Sequence, residues 1–186
     1  MRSIIVTEFM SLDGVVDSPG GEAGYRHAGW TFDVAEDPTM YAFKGQEQDE
    51  ATAMLMGRVS YEAFAPVWPK MDFFAGYNAI PKYVVSSTLT ETDPGWGDTT
   101  ILRSLDDVRA LKETDGGPIS VHGSATLVQG LLAAGLVDTL TLLVFPVVLG
   151  SGKRLFPTDA EDKVTLVLED STTYSNGVQL QVYRTA

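Results

Sequence analysis

The chain has 186 residues, no cysteine, two histidines and a formal net charge of −12, from 25 acidic and 13 basic side chains. Without cysteine there are no disulfides, thiolate nucleophiles or zinc–sulfur sites, and His27 and His122 alone cannot make a histidine cluster, so no metal site is expected. The acidity argues against nucleic acid and against an anionic membrane, since both select clustered Lys and Arg.

The length fits one domain over residues 1–186, because domains cluster near ~100–200 residues. Such a chain buries roughly 70% of its unfolded surface and needs no crosslink. No apolar run approaches the ~20 residues of a membrane helix. Ile4-Ile5-Val6 meets Glu8 too soon to be a signal peptide, so the expected location is the cytoplasm. Most of the negative charge reads as a solubilising surface.

Residues 3–9 are rich in β-branched side chains and predict a first strand. A long loop follows, from Ser11-Leu-Asp-Gly14 through Trp30 to about Asp37; loops of that length are usually functional. Met40 to about Ala51 predicts a helix, although its acidic end (Glu47, Asp49, Glu50) opposes the helix dipole. Thr52–Met56 predicts a buried strand, and Arg58–Phe64 a short helix that ends near Pro66. Lys82–Ser86 and Thr100–Leu102 predict two more strands, with Asp93–Gly97 as a loop between them. Ser104-Leu-Asp-Asp107 is a capping box opening a helix that carries Val108 and Leu111.

Ile119–His122 predicts a buried strand that turns at Gly123 into a helix over 124–134, capped by Ser124 and ended by Gly135. Thr139–Phe145 is a strand, and Pro146–Phe156 a loop. Alternating apolar residues at 164–168 and 178–182 flank Asn176-Gly177, a strong hairpin signal. Alternating strands and helices give a mostly parallel α/β sheet with flanking helices, closed by a C-terminal antiparallel hairpin.

Ligands of such sheets sit at the C-terminal ends of strands. Two small-residue turns lie there, Met56-Gly57-Arg58 and His122-Gly123-Ser124, and each feeds a helix. First-turn N–H groups and the helix dipole make both turns anion sites, and a pair of them suggests a dinucleotide across the sheet. Gly123 permits close backbone approach, while Ser124 and Thr126 offer hydroxyls; the alternative is an ordinary tight turn, and no G-x-G-x-x-G is present. Arg58 is the residue type that reads a ribose 2′-phosphate, or else a solvated first-turn cation. Ser86-Ser87 ends a neighbouring strand. Asp13 is the candidate acid, with an Asx turn as the alternative. Trp30, Tyr61 and Trp68 either line a flat-ring pocket or fill the core. His122 reads as a packed, hydrogen-bonded side chain.

Five stretches, taken together, resemble the dihydrofolate reductase superfamily. They are Ser11-Leu-Asp-Gly14, Met56-Gly-Arg-Val-Ser-Tyr-Glu62, Val84-Val-Ser-Ser87, His122-Gly-Ser-Ala-Thr126 and Phe145-Pro-Val-Val-Leu-Gly-Ser-Gly-Lys-Arg-Leu-Phe156. The branch they are most similar to includes the reductase domain of the riboflavin-biosynthesis deaminase–reductase. The resemblance implies a sheet of about eight strands, an NADPH site and, often, a homodimer. It implies that Gly57, Arg58 and Ser60 hold the adenosine-side phosphates, that Ser86 and Ser87 flank the adenosine ribose, and that Gly123, Ser124, Ala125 and Thr126 hold the pyrophosphate. Asp13 would border the nicotinamide and act in catalysis. Substrate contacts would come from Asp13, Trp30, Tyr61 and Gly152.

Two departures narrow the substrate. Pro38–Phe43 carries no acid where folate reductases place one, and only Lys44 is basic where riboflavin-pathway reductases carry a basic cluster. The implied activity is NADPH-dependent reduction of a small pterin-, pyrimidinone- or riboflavin-precursor-like substrate, of which 5-amino-6-(5-phosphoribosylamino)uracil is the type. The alternative is a nucleotide-binding module of the same fold without turnover.

Overall fold

The structure is a computed structural model that describes residues 1–92, 96–156 and 163–185. The predicted loop residues Asp93, Pro94 and Gly95 fall outside this range. Eight strands form one sheet: β1 (Ile4–Ser11), β2 (Ala53–Gly57), β3 (Lys82–Val85), β4 (Thr99–Leu102), β5 (Ile119–His122), β6 (Thr139–Phe145), β7 (Leu166–Thr173) and β8 (Gln179–Thr185). Their order is β4-β3-β2-β5-β1-β6-β8-β7. Every pairing from β4 to β6 is parallel, and β8 and β7 add an antiparallel edge. The helices are α1 (Pro38–Glu50), α2 (Arg58–Phe64), α3 (Ala75–Ala79), α4 (Leu105–Lys112) and α5 (Ala125–Ala133).

Side-chain alternation assigns the helices to faces. Ala53 and Leu55 of β2 pack with Val128 and Leu131 of α5 and Val108 of α4. Met54 and Met56, pointing the other way, pack with Tyr61 and Ala65 behind α2 and Tyr77 of α3. A third cluster, around Trp30, Met40, Leu143 and Phe145, joins α1 to the hairpin end of the sheet. The centre of the sheet is apolar on both faces, as expected where helices cover a parallel sheet twice.

Local chemistry sets the helix bounds. The capping box at Ser104 and Asp107 forms in both directions. Gly135 takes φ +63°, with its N–H on Leu132 O and that of Leu136 on Leu131 O, which satisfies the last carbonyls of α5. α1 begins two residues earlier than predicted. Asp37 Oδ1 accepts from Thr39 N at 2.8 Å and Met40 N at 3.3 Å, and Pro38 occupies the first helical position. The other Asp37 oxygen accepts from Ser175 N and Ser175 Oγ, tying the start of α1 to the hairpin turn. That turn is closed by Gly177 at φ +85°, and β7 is bulged between Leu168 and Asp170, beyond the predicted 164–168 alternation, of which Val164 precedes the strand and both Val164 and Leu168 are exposed.

Candidate active site

β2 and β5 are neighbours in the sheet, yet their following helices leave toward opposite faces. A crevice opens where such a pair diverges, beyond the carboxyl ends of the strands. The two glycine turns meet in it. Gly57 N donates to Ser124 Oγ at 2.9 Å. Gly123, at φ +58°, comes so close to α2 that a Cβ there would stand 3.2 Å from Ser60 Oγ and 3.5 Å from Phe64 Cζ. Only glycine combines that backbone angle with that approach.

The Ser124 hydroxyl corrects one expectation. Ser124 sits in the left-handed region (φ +64°, ψ +38°) and makes no side-chain cap on α5. Its oxygen serves Gly57, 67 residues away, instead of its own helix. No side chain caps α2 either. The first N–H groups of both helices therefore lack the usual capping partner, and they lie side by side at one crevice. Arg58 opens α2 and holds Glu62 Oε2 at 2.7 Å, with both side chains close to half exposed. This is a weak surface pair that an anionic ligand displaces readily.

One strand over, at the end of β3, Ser86 Oγ accepts from Thr88 N and Leu89 N, while Arg103 donates to Ser86 O. The Ser86 hydroxyl thus shapes the turn, and Ser87 is the exposed member of the pair.

Asp13 lies in the loop after β1, the strand that flanks β5 on the side away from β2. Its carboxylate accepts from Ser11 Oγ at 2.7 Å, Leu149 N at 3.0 Å and Gly150 N at 2.8 Å. Arg154 donates to its backbone oxygen. Burial alone would raise its pKa, but the hydrogen bonds from Leu149, Ser11 and Gly150 prevail and hold it down to about 2. A carboxylate held ionised by three hydrogen-bond donors is poorly suited to give up a proton. The catalytic role expected of Asp13 gives way to a clasp between the 11–17 and 147–154 loops. Asp17 extends the clasp by accepting from Lys153 N, and Tyr25 Oη donates to Ser151 O. Gly152 is wedged in it at φ +126°, where a Cβ would meet Val15 Cγ1 at 2.7 Å.

Trp30 and Tyr61 of the expected aromatic wall are core, and Trp68 is half-buried. Trp30 packs edge-on against Phe145 and donates its indole N–H to Asp17 O. Tyr61 stacks on Trp96 and is buried. Trp68 stacks instead between Phe64 and Phe74, beside Tyr77 and His122. His122 Nε2 and Tyr77 Oη share a hydrogen bond at 2.5 Å. Burial, then the Lys44 charge, push His122 well below its ordinary value, so the ring is neutral.

Two side chains are buried in ways the sequence did not show. Lys44 of α1 is buried and donates to Thr7 Oγ1 at 2.9 Å and to Glu47 Oε2 at 2.5 Å. It also lies 5.4 Å from the Phe9 ring centroid. The i,i+3 spacing of Lys44 and Glu47 was the available signal. Glu8 of β1 is also buried, and its Oε1 is the one buried side-chain polar atom among the described residues with no hydrogen-bond partner. One acid in a strand carries no mark of burial in the sequence, because such a position ordinarily faces solvent.

A family model for the RibD C-terminal domain matches residues 2–180. The chain belongs to this family of reductase domains. Two relatives from Bacillus subtilis (strain 168) are the uncharacterised proteins YyaP, 29% identical over 98% of this chain and 94% of its own length, and YwjB, 26% identical over 98% of each. Among solved structures, one named for riboflavin biosynthesis, from Shewanella sp. PV-4, superposes with a TM-score of 0.77 at 21% identity, covering 99% of both chains. A dihydrofolate reductase of Enterococcus faecalis, complexed with NADP(H), gives 0.62 at 14% identity over 98% of this chain and 96% of its own. The dihydrofolate reductase-like fold expected from the motifs is the fold of this RibD-family chain. Among the described residues no helix is long and apolar enough to cross a membrane.

Proposed function

We propose that this chain is an NADPH-dependent reductase of a small, flat, polar substrate. The observation that carries the reading is the meeting of two helix starts without side-chain caps at one crevice, linked by Ser124 Oγ and Gly57 N. The residues present fit a diphosphate. They offer unspent backbone donors, a glycine at φ +58° for close approach, and hydroxyls at Ser60 and Thr126. At a net charge of −12, long-range attraction for an anion is absent, so binding rests on these local donors and Arg58.

In this reading Gly57, Arg58 and Ser60 grip the adenosine side, with Arg58 leaving Glu62 for the 2′-phosphate. Ser87, with the turn that Ser86 shapes, borders the adenosine ribose. Gly123 to Thr126 hold the pyrophosphate. NADPH bound there supplies a hydride. The Asp13 clasp and Gly152 fix the loops that border the reacting end and keep water from it. Orienting donor and acceptor is worth up to ~7–11 kcal/mol of barrier in well-aligned systems. The homodimer implied by the resemblance belongs to the same reading, and sedimentation velocity tests it.

Substrate class follows from charge. α1 has no acid in its first turn, and its buried Lys44 is already neutralised by Glu47. A pteridine cation lacks a partner there, and a phosphorylated ribose lacks a cationic cradle. The same observation favours the second reading, a nucleotide-binding module without turnover. The test is fluorescence titration with NADPH, followed by NADPH oxidation against pterins, pyrimidinones and quinones. Binding with consumption supports the reductase. Binding without consumption across the panel supports the module, and no binding overturns both.

A further inference from the structure

β5 ends on His122, one residue before Gly123, so the imidazole stands beside the diphosphate cradle. The chain passes on to α5 on one face of the sheet. The His122 ring lies on the other face, with the Trp68 and Tyr77 rings at centroid distances of 6.2 and 4.8 Å. The ring is half-buried, and its two nitrogens fare differently. Nε2 shares the 2.5 Å bond with Tyr77 Oη. Tyr77 is buried, its N–H is held by Gln48 near the end of α1, and its helix leads into the start of β3, at the end of the sheet away from the crevice. The two nitrogens of an imidazole point nearly opposite ways, so a ring that turns Nε2 toward that end turns Nδ1 toward the strand ends. Among the described residues Nδ1 has no hydrogen-bond partner, and Glu8 Oε1 is the only unpartnered side-chain atom sealed from solvent, so Nδ1 is open.

The partners behind the ring fix its tautomer. Ser120, two residues back on the same face of β5, is hydrogen-bonded through its hydroxyl to the same phenol oxygen. The serine donates there, which leaves the Tyr77 proton for Nε2. A phenol is in any case the stronger donor of the pair and an imidazole nitrogen the stronger acceptor. With Nε2 accepting, the neutral ring carries its proton on Nδ1. His122 is thus an outward-facing N–H donor, braced from behind by Tyr77 and, through it, by Ser120.

A neutral donor among aromatic side chains suits a neutral acceptor on a flat ring. Phosphates have the helix N–H groups of the cradle, and the cofactor lies across the strand ends, so what meets this face beside it is the second reactant. Resting on the reductase reading, we propose that His122 positions the substrate, donating a hydrogen bond from Nδ1 to a ring carbonyl oxygen of a neutral, pyrimidinone-like heterocycle. The bond fixes how the substrate ring is turned against the nicotinamide. It also selects rings that carry a carbonyl over rings that do not.

The test is magnetic resonance of the imidazole nitrogens. The chain has two histidines, so isotopic labelling of histidine yields two rings, and His122→Asn removes one and thereby assigns it. With NADP⁺ saturating, the proposal expects His122 as the Nδ1-protonated tautomer. Uracil should move its Nδ1–H proton downfield and leave Nε2 in place, and 2,4-dithiouracil, whose sulfurs are poor acceptors, should bind about tenfold more weakly. His122→Asn sets an amide N–H close to where Nδ1 stood and should bind uracil within about threefold of the parent, whereas His122→Leu should bind it about tenfold more weakly. Both variants lose the Tyr77 bond, so the difference between them reads the outward donor. If His122→Leu fails to fold by circular dichroism, the uracil and dithiouracil pair decides. An Nε2-protonated ring, no response to uracil, equal binding of uracil by His122→Leu, equal binding of dithiouracil, or an Nδ1–H that answers NADP⁺ and not uracil overturns the contact and leaves the reductase reading standing. A folded parent that binds no NADP⁺ at millimolar concentration removes both together.

Discussion

The glycine crevice and the α1–β1 seam lie on the same sheet and solve opposite problems. At the crevice, α2 and α5 begin without side-chain caps, and the one hydroxyl placed to cap is spent across the gap on Gly57. At the seam, Lys44, Glu47 and Thr7 close a triangle of hydrogen bonds among themselves. The first region keeps unspent donors that suit an anion. The second has neutralised its own charge and presents little net charge to a substrate. Capacity to bind is thus concentrated in main-chain groups, and the side chains of the seam hold the fold.

That contrast makes variants separable. Glu47→Leu strands the buried Lys44 ammonium, and breaking a buried pair from one side costs about 3–5 kcal/mol. Urea unfolding should show that loss with NADPH affinity unmoved; a large affinity change would break the division of labour. Arg58→Ala should do the reverse. It should weaken NADPH about tenfold to a hundredfold by fluorescence titration, with NADH almost unaffected and stability near the parent's. Equal losses for the two cofactors would refute the 2′-phosphate role. Ser124→Ala removes the bridge between the turns and should cost about 1 kcal/mol in urea, with NADPH affinity within about threefold, because the helix N–H groups stay in place.

The smallest effect expected is at Asp13, whose folded pKa of about 2 lies below the ordinary 3.8. Its contribution is present above pH 3.8 and lost as pH falls through about 2. Unfolding across that window should flatten in Asp13→Ala; an unchanged slope would mean that the clasp does not hold the loops.

Much of the fold was legible because its determinants are local. α2 runs over Arg58–Phe64 as predicted, since Gly57 precedes it and Pro66 stands beyond its end. The Ser104 capping box, Gly135 and Asn176-Gly177 each act within a few residues. The location of the crevice was legible for the same reason, as glycine marks it in the sequence. Long-range partners were not legible. Nothing near Ser124 says that its hydroxyl belongs to Gly57, nothing near Asp13 announces Leu149 and Gly150, and Asp37 reads as loop until Thr39 and Ser175 are seen on its two oxygens. Trp30 and Tyr61 were ambiguous because a flat ring suits a pocket wall and a core equally, and here packing prevails. Glu8 was invisible because one acid in a strand looks like a solvent-facing position until both faces prove covered.

The strand order has a consequence for birth on the ribosome. β1 emerges first, yet its only neighbours are β5 and β6, and Ile4 N is anchored on Asp138. At about 5–20 residues per second, this apolar segment stays without its sheet partners for on the order of ten seconds while more than a hundred further residues are made. Over that interval Ile4–Ser11 is a bare, β-prone ribbon, and chaperone capture or slowed translation near residue 120 should govern the yield of native protein more than any contact in the finished fold.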